Sequence, residues 1–142
     1  MIQQNPVFGI GKGKFLNYTG KLIAHNSSVE IMGETGLPGL IFWVGLLYMG
    51  IKNIFHYVRE TEDENSRSYA MALGLSVAGY LISSMFVTLE YETLYFLAGL
   101  CAAVGFMLKE PPSFTERDFR FIGFISVGWV LALKGFLMVY VR

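Results

Sequence analysis

Four long apolar stretches separated by short charged segments fill the chain after residue 36, whereas the first 36 residues mix polar groups, glycines and short apolar pieces. The first stretch, 37–58, has an uncharged central run and carries Pro38 near its first turn, where the missing N–H costs nothing. At about 1.5 Å per residue, about 20 residues cross a hydrocarbon core roughly 30 Å thick, so this segment is long enough to span it. Lys52, His56 and Tyr57 mark its far end as snorkelling and interfacial groups. The charged run from Arg59 to Arg67 is a solvated loop. A second stretch, 69–89, has no charged residue, and Gly74, Ser76, Ala78, Gly79, Ser83 and Ser84 supply small side chains for close helix contact. Only Glu90, Tyr91 and Glu92 separate it from a third, 93–108, which is short for a span and forms a tight helical hairpin with the second. The Pro111-Pro112 break and a Ser or Thr cap precede a fourth stretch, 119–141. It contains Lys134, whose ammonium must face the bundle or snorkel to a headgroup. The pattern predicts an all-α integral membrane bundle of about four transmembrane helices, preceded by an extracytoplasmic loop over 1–36.

That polar loop holds the candidate chemistry. Ser27 with Glu30 three residues later reads as a capping box, and Gly36 as a stop, predicting a short interfacial helix at 27–35. His25 and Asn26 then lie just before its N-terminus, and Glu30 and Glu34, four apart, share a face. Upstream, Gly9, Gly11, Gly13 and Gly20 punctuate the loop. Such glycines either allow close backbone approach to a ligand, with Lys12, Lys14 and Lys21 meeting phosphate charge, or simply turn the chain. A nucleotide P-loop is excluded, since the residue five before Gly13 is Phe8 and neither Lys12 nor Lys14 is followed by Ser or Thr.

Composition sharpens the class. Of 142 residues, 54% are hydrophobic and 15% charged, against about 25% charged in soluble domains. Eleven basic and 11 acidic residues cancel, which removes an electrostatic case for nucleic acid. The single cysteine, Cys101, lies in an apolar run and is expected to be buried packing. Three Lys or Arg flank each of the two long loops (Lys52, Arg59, Arg67; Lys109, Arg117, Arg120) and none lies in the 90–92 turn, so the positive-inside rule puts the loops in the cytoplasm. Residues 1–36 and Arg142 are then expected outside.

His25-Asn26, nine residues, Gly36, two residues and Gly39 resemble a pattern in the large extracytoplasmic loop of the O-antigen ligase and polymerase-like family of bacterial membrane glycosyltransferases. The stretch from Val29-Glu30 to Gly39 also resembles that family's acidic helix entering a span. Asn5-Pro6-Val7-Phe8-Gly9-Ile10-Gly11-Lys12-Gly13-Lys14-Phe15 is similar to its Pro and glycine-rich segment upstream of the His. The resemblance covers only the C-terminal portion of family members, so the beginning of the protein is expected to be missing and this fragment inactive alone. It implies metal-independent, cofactor-free transfer of a glycan from a polyprenyl diphosphate lipid to a glycan, lipid or protein acceptor, at the outer face of the bacterial inner membrane. Membrane lipids are then partners, and nucleic acid is not. In that scheme His25 is catalytic; Asn26, Lys12, Lys14, Gly11, Gly13, Glu30 and Glu34 contact substrate; Gly36 and Gly39 are structural. On its letters alone His25 is equally an interfacial residue ordering the loop. A transporter on the same scaffold and a non-catalytic four-helix membrane protein stand as alternative functions.

Overall fold

The computed structural model describes residue 5 and residues 7–20, 25–87 and 91–140, the side chains of 91 and 136–140 excepted. Pro6 and Lys21, Glu90, Arg142 and the expected ends of the second and fourth stretches at 89 and 141 lie outside these residues. The regular structure of the described residues is all α-helical, with α1 Phe15–Tyr18, α2 Ser27–Glu60, α3 Glu64–Ser84, α4 Tyr91–Phe106 and α5 Glu116–Tyr140.

The central element is α2, on which α3, α4 and α5 all pack. Its buried stripe of Leu40, Trp43, Leu47, Gly50, Ile54 and Tyr57 recurs every three or four residues, the spacing of a single helix face. Contact with α4 is close where side chains are small. A β-carbon on Gly50 would stand 3.1 Å from that of Cys101, and one on Gly105 would press on the Asn53 amide. Asn53 Nδ2 donates to the Cys101 carbonyl at 3.3 Å, and Cys101 is buried as expected. Val77 and Tyr80 carry α3 onto the same core. In contrast, α5 packs on α2 and touches neither α3 nor α4 among the described residues.

The polar ends are built by side-chain caps. Asp63 accepts from Ser66 N at 2.8 Å and starts α3 five residues before the expected apolar boundary. These Ser66 hydrogen bonds also hold the Asp63 carboxyl below its ordinary pKa. By length and composition, α2 is the one described helix long and apolar enough to cross a membrane, and the apolar 92–106 segment of α4 is shorter. Serines dilute α3, and charges in the first turns together with Lys134 dilute α5. Large apolar side chains nonetheless face outward on all four long helices, among them Phe42, Phe55, Leu75, Ile82, Phe96 and Phe124.

Candidate functional site

The short helix ends where the sequence places its stop. Gly36 adopts φ 71°, ψ −164°, outside helical space, and breaks α2 into a short segment at 27–35 and a long one after it. Its N-terminus differs from expectation. Asn26, with extended backbone, is the cap: its Oδ1 accepts from Ser28 N at 3.0 Å and Val29 N at 3.1 Å. Ser27 is the first helical residue, and its hydroxyl donates to the Val87 carbonyl at 3.1 Å, so the expected Ser27–Glu30 box does not form. Adjacent Asn and Ser are both strong cap formers, and the Asn side chain reaches two amides from one position.

Asn26 is committed on every side. Its Oδ1 also accepts from the Ser28 hydroxyl at 2.6 Å, and its Nδ2 donates to the Met85 carbonyl at 3.1 Å. The amides of Ser28 and Val29 are therefore already paired, and these N–H groups of the helix N-terminus beside His25 are occupied by the Asn26 side-chain oxygen. His25 precedes this cap with a left-handed φ of 49°, exposed, and its imidazole makes no hydrogen bond among the described residues. The backbone there is unusual for a non-glycine residue.

At the other end of the short helix, the glycine segment lies across the break. Ile10 N donates to the Gly33 carbonyl at 3.0 Å and Gly11 N to the Glu34 carbonyl at 2.9 Å, satisfying carbonyls left open by the helix end. Gly9 and Gly11 both have positive φ, and a β-carbon on Gly9 would collide with the Glu34 carbonyl. Glu34 is only 3% exposed, and its Oε1 accepts from Phe15 N at 3.2 Å, pinning the start of α1. Of the two carboxylates expected to share a face, Glu34 thus holds the loop while Glu30 is half-buried beside the cap. Gly39 leaves room for the Thr35 side chain, whose hydroxyl donates to the Ile31 carbonyl at 2.6 Å.

Gly11, Glu34 and Gly36 are therefore in one interlock, and His25 stands at the opposite end. From 26 to 34 the helix advances about 12 Å. Lys12, Gly13 and Lys14 are exposed on the glycine turn, and His25 is exposed at the other end of the short helix. Lys134 is exposed on α5 rather than turned into the bundle. His56 Nε2 lies 2.9 Å from Glu60 Oε1, one helical turn on. Among the described residues, no group of three or more His, Cys, Asp or Glu could hold a metal ion.

Two polar clusters escaped the sequence reading. Lys52, expected to snorkel, instead pairs with Asp118 Oδ2 at 2.7 Å and donates to the Ser113 carbonyl at 3.0 Å. Asp118 also accepts from the Tyr48 hydroxyl at 2.6 Å, Thr115 N at 2.8 Å and the Thr115 hydroxyl at 2.7 Å. Lys52, then Tyr48 and Thr115, hold the Asp118 carboxyl well below the usual carboxylate range. The second cluster joins α5 to the short helix, where Trp129 Nε1 donates to the Ser28 hydroxyl at 2.7 Å. Between the two clusters an apolar groove of about 510 Å³ opens between α3 and α5, floored by Leu40, Val44 and Leu47 of α2.

No protein-family model, curated protein or solved structure matches the chain.

Proposed function

We propose that the chain is the C-terminal part of a membrane glycosyltransferase of the O-antigen ligase and polymerase-like kind, which moves a glycan from a polyprenyl diphosphate lipid to an acceptor. The observation that carries this reading is the packing of its two motif segments on each other. The Val7–Gly11 backbone seats against Gly33–Gly36, and each of Gly9 and Gly36 has no room for a side chain. Motif glycines of both segments thus serve one interlock, with His25 presented at the far end of the same short helix.

In this reading the His25 imidazole takes the proton of the acceptor hydroxyl, near neutral pH where a histidine serves as base. The acceptor oxygen bonds to the anomeric carbon, and the bond from that carbon to the diphosphate oxygen breaks, the electron pair leaving with the diphosphate. Lys12 and Lys14, on the exposed turn, supply positive charge toward that leaving group. The amides of Gly9, Ile10 and Gly11 are spent within the protein, and so are those of Ser28 and Val29, so the lysine side chains rather than backbone N–H groups carry this role.

Four membrane-spanning helices fit the outward-facing Phe42, Phe55, Ile82, Phe96 and Phe124. On α5, 16 residues separate Asp118 from Lys134, about 24 Å of helix, so Lys134 reaches a headgroup by snorkelling. The loops near 61–63 and 107–115 face the cytoplasm and His25 the outside of the inner membrane. Cysteine at Asn17 should therefore react with an impermeant thiol reagent in intact cells and cysteine at Ser113 should not; the reverse pattern inverts the topology.

The function is tested in a complete enzyme carrying this segment. His25→Ala should abolish glycan transfer at unchanged protein abundance, and retained transfer overturns the assignment.

A further inference from the structure

We propose that Trp129 is a positioning residue for His25, acting through Ser28 and Asn26, and that the seat of α5 on α2 thereby controls the site. The proposal rests on the functional reading for its consequence in catalysis, but its structural half stands by itself.

The chain of bonds has a fixed polarity. An indole N–H can only donate, so the Ser28 hydroxyl must accept from Trp129 at 2.7 Å and pass its own proton onward. The acceptor is Asn26 Oδ1 at 2.6 Å. That assigns the Asn26 amide its orientation, with oxygen toward the helix amides and nitrogen toward the Met85 carbonyl at 3.1 Å. One donor on α5 therefore orders a polarised chain running through the short helix to the end of α3. Its last side chain belongs to the residue that follows His25 and caps the helix, where the His25 backbone is held at φ 49°.

The geometry of α2 makes this contact depend on two distant features. Asp118, bonded to Tyr48, lies 11 residues from Trp129, about 16 Å along α5. Tyr48 lies 20 residues from Ser28, which a straight helix would place about 30 Å away. Ser28 meets Trp129 because the chain changes direction at Gly36 and brings the short helix back to the level of the indole. On α5, Asp118, Ile122 and Ser126 are buried at a spacing of four, and Trp129 follows three residues later on the same stripe. Among the described residues α5 packs on α2 alone, and the Asp118 cluster below and the Trp129 bond above are its two polar fixings there. A slide or roll of α5 that loosens one is transmitted to the other along a rigid helix, and so to His25.

The test reads His25 directly, without an activity. The chain has two histidines, so His56→Gln leaves one isotope-labelled histidine whose backbone and Cβ chemical shifts report its left-handed conformation in lipid nanodiscs. Trp129→Phe and Ser28→Ala should each move the His25 signals toward averaged values, and the double variant should move them no further, because both cut the same chain. Ser28→Thr keeps the hydroxyl and should preserve the signals. Trp43→Phe alters the other tryptophan and should leave them in place. If Trp129→Phe does not fold, the small Ser28→Ala change carries the test. Unmoved His25 signals in Ser28→Ala, or additive shifts in the double variant, overturn the proposal.

In a complete enzyme, Ser28→Ala should lower kcat about tenfold with KM within twofold, and Ser28→Thr should restore it. Shifted His25 signals with full transfer by His25→Ala would leave the coupling in place and remove the glycosyltransferase reading. Transfer that requires His25, with signals unmoved by Ser28→Ala, would do the opposite.

Discussion

The Val7 carbonyl fills the space in which a β-carbon of Gly36 would stand. This contact joins the glycine segment to the helix break, and both depend on it. Gly36→Ala meets two penalties, the positive φ and the collision with Val7. The left-handed conformation alone costs about 1–3 kcal/mol. Unfolding of the purified protein should begin at lower denaturant, and limited proteolysis should find new cleavage in 7–20. Gly13→Ala, where a β-carbon meets nothing but φ is also positive, should show the conformational part of the cost without the new cleavage.

The two carboxylates of the short helix should separate cleanly. Glu34 is buried and accepts the Phe15 amide, so Glu34→Ala leaves a buried donor without its partner, at a cost of about 1–3 kcal/mol. Glu30 is half-buried and makes no such bond among the described residues. Glu30→Ala should therefore leave the unfolding midpoint nearly unchanged, and amide exchange at Phe15 should accelerate in Glu34→Ala alone. Equal effects of the two substitutions would refute the division of roles.

Much of this region was legible along the chain. Gly36 as a stop and a helix over 27–35 follow from local chemistry, and so does a buried Cys101. The failures were of a different kind. The sequence does not single out Asn26 as the cap, because Ser27, its neighbour, satisfies the same local rule, and only the backbone at each position decides between them. The pairing of Lys52 is invisible along the chain because its partner Asp118 lies 66 residues on, and the Trp129–Ser28 bond spans 101 residues. Periodicity locates the face a residue occupies on its own helix. It carries no information on which other helix arrives there, or at what height.

Asp118 gives the assembly a defined acid limit. Its carboxyl titrates below its ordinary value in the folded protein, so the unfolded chain takes up a proton first as pH falls. The stabilisation is complete above the ordinary aspartate pKa of about 3.9 and is lost on acidification through the lower folded value. The thermal midpoint should therefore drop below about pH 4 in the wild-type protein. Asp118→Asn should lower the midpoint at neutral pH and flatten the acid dependence. A variant whose midpoint tracks the wild type throughout would show that this cluster does not fasten α5.

The outward apolar faces allow a test of the membrane reading that does not depend on any activity. Phe124 is 78% exposed and lies on α5 between Asp118 and Lys134. In water an exposed Phe→Lys change away from special features shifts stability by no more than about 0.5 kcal/mol and improves solubility. In a bilayer the same ammonium inside a span costs up to about 2.5–3.5 kcal/mol of insertion free energy, the value at its centre. Lys134, six residues before the end of α5 at Tyr140, lowers that cost by snorkelling its stem toward the interface. Phe124→Lys should therefore depress membrane insertion of α5 in a translocon assay, while Lys134→Leu should raise it slightly. Normal expression of the Phe124→Lys chain as a monodisperse protein without detergent would refute the spanning role of α5.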